Sequence, residues 1–465
     1  MAAAVIAVIS VAVAPLERGT AGAAGFVPIS GSGFPSDVLD QWRRDLYDKG
    51  ITVNYSASGS TNGRNDFRNG RVDFALSDLP YGLSDGGVLD PPPPWAFGYL
   101  PSIASGVAFM YNLRIDGNLV RNLRLSGDTI TKIFTEQITN WSDPEIKADN
   151  PGLTLPARKI VPVVRSDSSG TTAQFTAWMA SQFSSQWDDY CRRAGRTVIP
   201  CGSTSFYPTT SDMVSKAGSQ GVAGFVAQQT SEGTITYVEP FYALQSGFTV
   251  VKMLNAANYY VEPNTTNVAI ALLKAQLRPD HTADLSQVYG NPDPRAYPLS
   301  GVSYLIVPED TSNNFSTEKG ATLSEFAYYA LCEGQDKADA PLPINLVRPA
   351  IDEAGLIPGS TKKVTSTNLQ NCNNPTFSAD GTDRLVTTAP QPQWCDFHGP
   401  TQCTAEIGTP GPPTPQPPTP TAVPPTPTPE PSPTPPVFVL LSPQLWQELI
   451  AWLLSALQLS PSSSG

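Results

Sequence analysis

Four short segments place glycines and small hydroxyl residues directly after apolar runs: ISGSGFPSDVL (29–39), SASGSTNGRNDF (56–67), FALSDLP (74–80) and VVRSDSSGTT (163–172). The first, second and fourth lead straight into helical spacing, so their glycines permit tight turns and their backbone amides open a helix. Such a terminus carries roughly half a positive elementary charge and binds anions without a basic side chain. Arg165 adds a guanidinium whose paired N–H groups suit a tetrahedral oxyanion, and Asp167 is placed to orient that guanidinium rather than to touch a ligand. Any one of these loops alone is an ordinary turn or helix cap. Four in one chain point to an anion.

Asp78 sharpens the chemistry. A carboxylate beside an anion repels it unless the ligand brings a proton to donate. Hydrogen phosphate brings one; sulfate at neutral pH does not. A desolvated Asp78 therefore accepts from the phosphate hydroxyl and leaves a fully deprotonated ion with a repelled, unpaired contact. The bland reading of Asp78 is a turn or cap aspartate.

These loops need a scaffold. The 465 residues suffice for a large core and more than one domain, and the net charge of -12 argues against nucleic acid and anionic membrane surfaces as partners. From residue 26 to about 365, β-branched runs alternate with helical patterns, the rhythm of an α/β fold. Strands are predicted at 27–30, 51–57, 72–77, 106–112, 159–165, 233–238 and 302–308, and helices at 37–50, 128–137, 172–183 and 322–333.

The ends of the chain read differently. Residues 1–25 have the apolar stretch and small-residue site of a signal peptide, which predicts an extracytoplasmic protein. Six cysteines in an exported chain predict disulfides. Local pairing joins Cys191 with Cys201 and Cys395 with Cys403, leaving Cys332 for Cys372. Residues 366–407 form an irregular, cysteine-containing extension. The Pro/Thr tract at 408–436 is an extended linker that cannot build a core. Residues 437–465 end in an apolar helix, and 437–460 is read as a contact for a membrane interface or a protein.

The segments GSGFP (31–35), VNYSASGS (53–60), VDFALSD (72–78), ITNWSDPEI (138–146), NPGLTLP (150–156) and VVRSDSSGTT resemble, in this order, the phosphate-binding proteins of ABC phosphate importers. GVAGFV (221–226), TITYVE (234–239) and YPLSGVSYLIV (297–307) extend the similarity. The resemblance implies a two-lobed type II periplasmic-binding-protein fold closing on one ligand about a hinge. Residues 26–108 with 297–365 form lobe 1, and 109–296 form lobe 2. It implies phosphate contacts from Ser60 and Asp78 in the first lobe and from Arg165, Ser169, Gly170 and Thr171 in the second. The family's Thr-Phe pair becomes Gly33-Phe34, which keeps the Phe34 amide and loses a hydroxyl that Ser32 is placed to replace. Asn62 and Arg64 depart from the small residues common there; Arg64 is read as a solvated helix residue rather than a second cation at the site.

The implied function is capture of inorganic phosphate by a monomer and its delivery to an ABC permease, with no cofactor and no metal. A phosphate sensor or surface scaffold on the proline stalk is an alternative. A phosphate-ester hydrolase is a weaker one, because only His281 and His398 exist, away from the four loops, and no Gly-x-Ser-x-Gly elbow appears.

Overall fold

A computed structural model describes residues 27–33, 37–82, 84–85, 88–361 and 364–403. The predicted leader, the proline tract and the apolar tail lie outside the described residues.

Nine strands build the two larger sheets: β1 (Ile29–Gly33), β2 (Val53–Ser56), β3 (Phe74–Ser77), β4 (Phe97–Gly106), β5 (Ala108–Tyr111), β6 (Val161–Arg165), β7 (Val214–Lys216), β8 (Thr234–Val238) and β9 (Ser300–Pro308). The first sheet has the order β2-β1-β3-β9-β4 and the second β7-β6-β8-β5. β1, β2 and β3 run parallel, with Ile29 opposite Val53 and Gly31 opposite Phe74. β6 runs parallel to β7 and β8. Helices cover both faces of such strands, so FALS and TITYV are buried at every position and read as unbroken apolar runs.

Three helices matter for the site or its support. α1 (Asp37–Tyr47) buries Val38, Leu39, Trp42 and Leu46 at three- and four-residue spacing. α2 (Ser60–Arg68) starts at the end of the loop after β2, and α3 (Gly170–Gln182) starts just beyond β6. β4 escapes sequence prediction because Pro101 and two glycines interrupt it. It is an edge strand, where a missing amide donor is tolerated, and its register shifts opposite Ser303 and Tyr304.

The chain crosses between the sheets at Val107, whose amide donates to the Leu299 carbonyl at 2.9 Å and whose carbonyl accepts from the Tyr297 hydroxyl at 2.7 Å. Residues 265–284, placed by the sequence in the second lobe, pack on the first sheet. The helix Thr265–Leu272 packs on β4 and β9, and the Ala283 amide donates to the Tyr304 hydroxyl at 2.9 Å. The crossing at 262–264 is short and changes neither composition nor rhythm, so the sequence does not mark it.

The extension after 364 is irregular in backbone but firmly anchored. Cys332–Cys372 ties it to the end of the helix Thr317–Leu331, and the Thr376 hydroxyl donates to the Leu342 carbonyl at 2.8 Å. Further on it reaches the second sheet's side. Lys252 Nζ sits 2.8 Å from Asp396 Oδ1, buried Arg124 donates to the Thr401 carbonyl at 3.0 Å, and Asn122 donates to the Cys403 carbonyl at 2.9 Å. The remaining bridges are Cys191–Cys201 and Cys395–Cys403, so all three pairs are those expected from local pairing.

Arg64 corrects the sequence reading. It is 1% exposed, because Ser60, Gly63, Arg64 and Phe67 share the buried face of α2. Its Nε pairs with Asp90 Oδ2 at 2.6 Å, and its Nη1 donates to Ser77 Oγ at 2.8 Å. It therefore joins α2 to the end of β3 from beneath the loops. Arg64→Ala leaves buried Asp90 with only the longer 3.6 Å contact to Arg68 and is expected to cost about 3–5 kcal/mol in chemical denaturation. A loss below about 1 kcal/mol, the range of exposed pairs, would contradict this.

Candidate functional site

In parallel α/β sheets, ligands bind beyond the carboxyl ends of the strands. Here those ends meet. A methyl group on Gly170, the first residue of α3, would lie 1.9 Å from Asp78 Oδ2 and 2.4 Å from Ser60 Oγ. One on Gly59 would lie 2.9 Å from the Ser168 carbonyl. The starts of α2 and α3 and the end of β3 thus touch across the two sheets, with only glycine permitting the approach.

Ser60 and Asp78 form the first-sheet side. The Asp78 amide donates to Ser60 Oγ at 3.2 Å, and the Ser60 hydroxyl lies 3.4 Å from Asp78 Oδ2. Ser303, on β9, donates its hydroxyl to Asp78 Oδ1. Burial pushes the Asp78 carboxyl up to about 7 against the lowering effect of the Ser303 and Ser60 hydrogen bonds and the Arg165 charge; Glu239 adds to the rise.

Arg165, Ser169, Gly170 and Thr171 form the second-sheet side. Arg165 is 5% exposed. Its Nε donates to Asp167 Oδ1 at 2.8 Å, its Nη2 donates to Asp167 Oδ2, and its Nη1 donates to Ser219 Oγ at 3.0 Å. The Nε edge is thus held by Asp167, and one N–H on each terminal nitrogen remains. Burial works against the guanidinium charge, but the Asp167 hydrogen bonds and the neighbouring carboxylates outweigh it and raise the Arg165 pKa. Asp167 is lowered despite burial by the same pairing and accepts from the Gly218 amide at 2.8 Å.

Ser169 caps α3 by accepting from the Thr172 amide at 3.1 Å, which leaves its hydroxyl hydrogen to donate elsewhere. Gly170 and Thr171 contribute the first two helical amides, which have no intrahelical acceptor. Thr171 Oγ1 donates to Glu239 Oε1.

Gly33 lies at the carboxyl end of β1 with φ +142°, and a methyl there would lie 1.9 Å from the Leu76 carbonyl oxygen. No threonine fits on this backbone, which accounts for the lost hydroxyl. The Gly33 carbonyl accepts from the Gly59 amide at 2.8 Å and so ties β1 to the start of α2. The Ser32 side chain and Phe34 lie outside the described residues. Asn62 turns back to the Ser58 carbonyl at 2.7 Å.

Three groups of the site escaped the sequence reading. Ser303 stands in a strand buried at every position, where a hydroxyl calls for a partner. Ser219 opens the helix Gly218–Val226. Glu239 directly follows β8, where the strand-end rule could have found it.

A family model described as a PBP superfamily domain matches residues 17–333. The chain belongs to this superfamily. Among its relatives, the phosphate-binding protein PstS of Xylella fastidiosa is 32% identical over 330 residues, covering 69% of this chain and 83% of that protein. The phosphate-binding protein PstS of Methanocaldococcus jannaschii is 31% identical over 327 residues, covering 66% and 78%. A solved high affinity periplasmic phosphate-binding protein bound with phosphate at pH 8.5 aligns with a TM-score of 0.48 at 19% identity, over 77% of this chain and 99% of that one. The two-lobed PBP fold expected from the sequence is the fold found.

In this PBP-superfamily chain, Gly170→Ala drives a methyl into Asp78 and holds the two sides apart. It is expected to lower phosphate affinity at least about a hundredfold by calorimetry, with unchanged circular dichroism. Affinity within a factor of about three would contradict the close approach.

Proposed function

We propose that this protein captures inorganic phosphate outside the cytoplasm and delivers it to the permease of an ABC importer, with no chemistry on the ligand. The observation that carries the reading is Asp78: a buried carboxylate facing helix-end amides and Arg165 across the cleft. The amides and the guanidinium attract any small oxyanion. The carboxylate accepts one only if the anion carries a proton. The PstS relatives are named for phosphate binding.

Ser60, Asp78, Arg165, Ser169, Gly170 and Thr171, with the Gly33–Phe34 turn, are assigned as the ligand set, and Asp167 as the residue that positions Arg165. Closure is a hinge motion favoured because both lobes hold the same ion. The three disulfides suit an oxidising compartment, as does the leader read in residues 1–25. The protein acts as a monomer, and residues 437–460 retain it at the cell surface. Among the described residues no helix is long and apolar enough to cross a membrane.

Calorimetry with phosphate and sulfate tests the reading through pH. Asp78 has a raised pKa, so it is ionised above about 7 and repels sulfate there; as pH falls through about 7 it gains a proton and becomes a donor. Discrimination against sulfate is therefore expected to weaken from pH 8 to pH 6, and Asp78→Asn is expected to remove most of it at pH 8. Selectivity that ignores both pH and the substitution would refute this role of Asp78, and release of product from a phosphomonoester would refute a purely binding function.

A further inference from the structure

Glu239 carries a carboxylate into the site from the end of β8. It is 6% exposed. Its Oε1 accepts the Thr171 hydroxyl, while its Oε2 is buried without a hydrogen-bond partner among the described residues. An unpaired oxygen on a buried carboxylate is costly, and such groups persist where they serve the site.

The charge of Glu239 reaches both sides of the cleft. On the second-sheet side it helps hold the proton on Arg165, behind the Asp167 hydrogen bond. Across the cleft, Asp78 is raised first by burial and then further by Glu239. Asp339 is pushed up to about 7, first by burial and then by Asp37 and Glu239. No group among these neutralises Glu239 by direct contact.

We propose that Glu239 is a built-in competitor of the anion that limits affinity and promotes release. The hydroxyl that Glu239 takes from Thr171 is the hydroxyl an anion at the α3 terminus needs. A threonine has one O–H to donate, so anion and carboxylate exclude each other at Thr171. A fixed negative charge beside a bound anion also opposes it at short range in a site of low effective dielectric. Arg165 is shared in the same way: part of its field serves Glu239 before any ligand arrives. A transport protein gains from this, because an anion held by several helix-end amides and a buried guanidinium leaves slowly unless something opposes it. The proposal rests on the phosphate-binding reading and adds a residue to it.

The test uses the full chain, inorganic phosphate and stopped-flow release alongside calorimetry. Glu239→Gln keeps the shape and removes the charge, and its amide can turn either its oxygen or its nitrogen to Thr171. It is expected to tighten phosphate about tenfold, chiefly through slower release. Sulfate is expected to tighten by a similar factor, because removing a charge does not read the ligand's proton. Glu239→Ala is expected to tighten binding as well, which covers the case in which the glutamine variant fails to fold. In a Thr171→Val background the gain is expected to shrink. Equal or weaker phosphate binding by both Glu239 variants, with wild type binding normally, overturns the proposal, and so does a gain undiminished by Thr171→Val. If wild type itself binds no phosphate, the functional reading fails first and the proposal falls with it.

Discussion

The structure turns on one constraint: the Asp78 carboxylate is buried at the point where two α/β sheets meet, with no ion-pair partner among the described residues. Burial alone would protonate it. The hydroxyls of Ser303 and Ser60 oppose that, and so does the charge of Arg165. The balance leaves the group close to its titration point in neutral solution, where small changes in its surroundings decide whether it accepts or donates a proton. The nearby glycines follow from the same constraint, since only residues without a β-carbon let α3 approach Asp78 and let β1 approach β3.

The positive side of the site is economical in charge. An acidic chain provides one guanidinium, already engaged by Asp167 and Ser219, and otherwise relies on the dipoles of helix starts. Such donors are fixed by the fold and lose little entropy on binding. They are therefore only as good as the scaffold that aligns them. That scaffold includes Arg64, which ties the start of α2 to the end of β3, and the irregular extension. The latter is pinned by Cys332–Cys372 on one side and by Lys252 and Arg124 on the other, so the two sheets are linked by a third stretch of chain besides the crossings near Val107 and residue 263. The extension lies beyond the residues that match the superfamily model.

Much of this was legible in the sequence, for reasons that can be named. Parallel strands buried on both faces leave unbroken apolar runs, so β3, β6 and β8 announce themselves. Loops that end a strand and start a helix leave glycines and hydroxyl residues at fixed places, and the loops that carry Ser60, Asp78, Arg165 and Gly170 were singled out that way. The misses have separate physical causes. Arg64 was misread because its partner Asp90 lies 26 residues away and nothing local marks the pair. The packing of residues 265–284 on the first sheet was not foreseen because a short crossing carries no compositional signal. β4 was passed over because an edge strand tolerates the proline that a central one would reject. Ser303 and Glu239 were passed over because each acts on a residue from a distant part of the chain.

The most direct measurement is a crystal structure of the phosphate complex at a resolution that locates protons, or its neutron equivalent. The account predicts one phosphate bridging the starts of α2 and α3, within hydrogen-bond reach of Arg165, with its own proton directed at an ionised Asp78. A phosphate bound elsewhere, or one at this place that accepts a proton from Asp78 at pH 8, would contradict it.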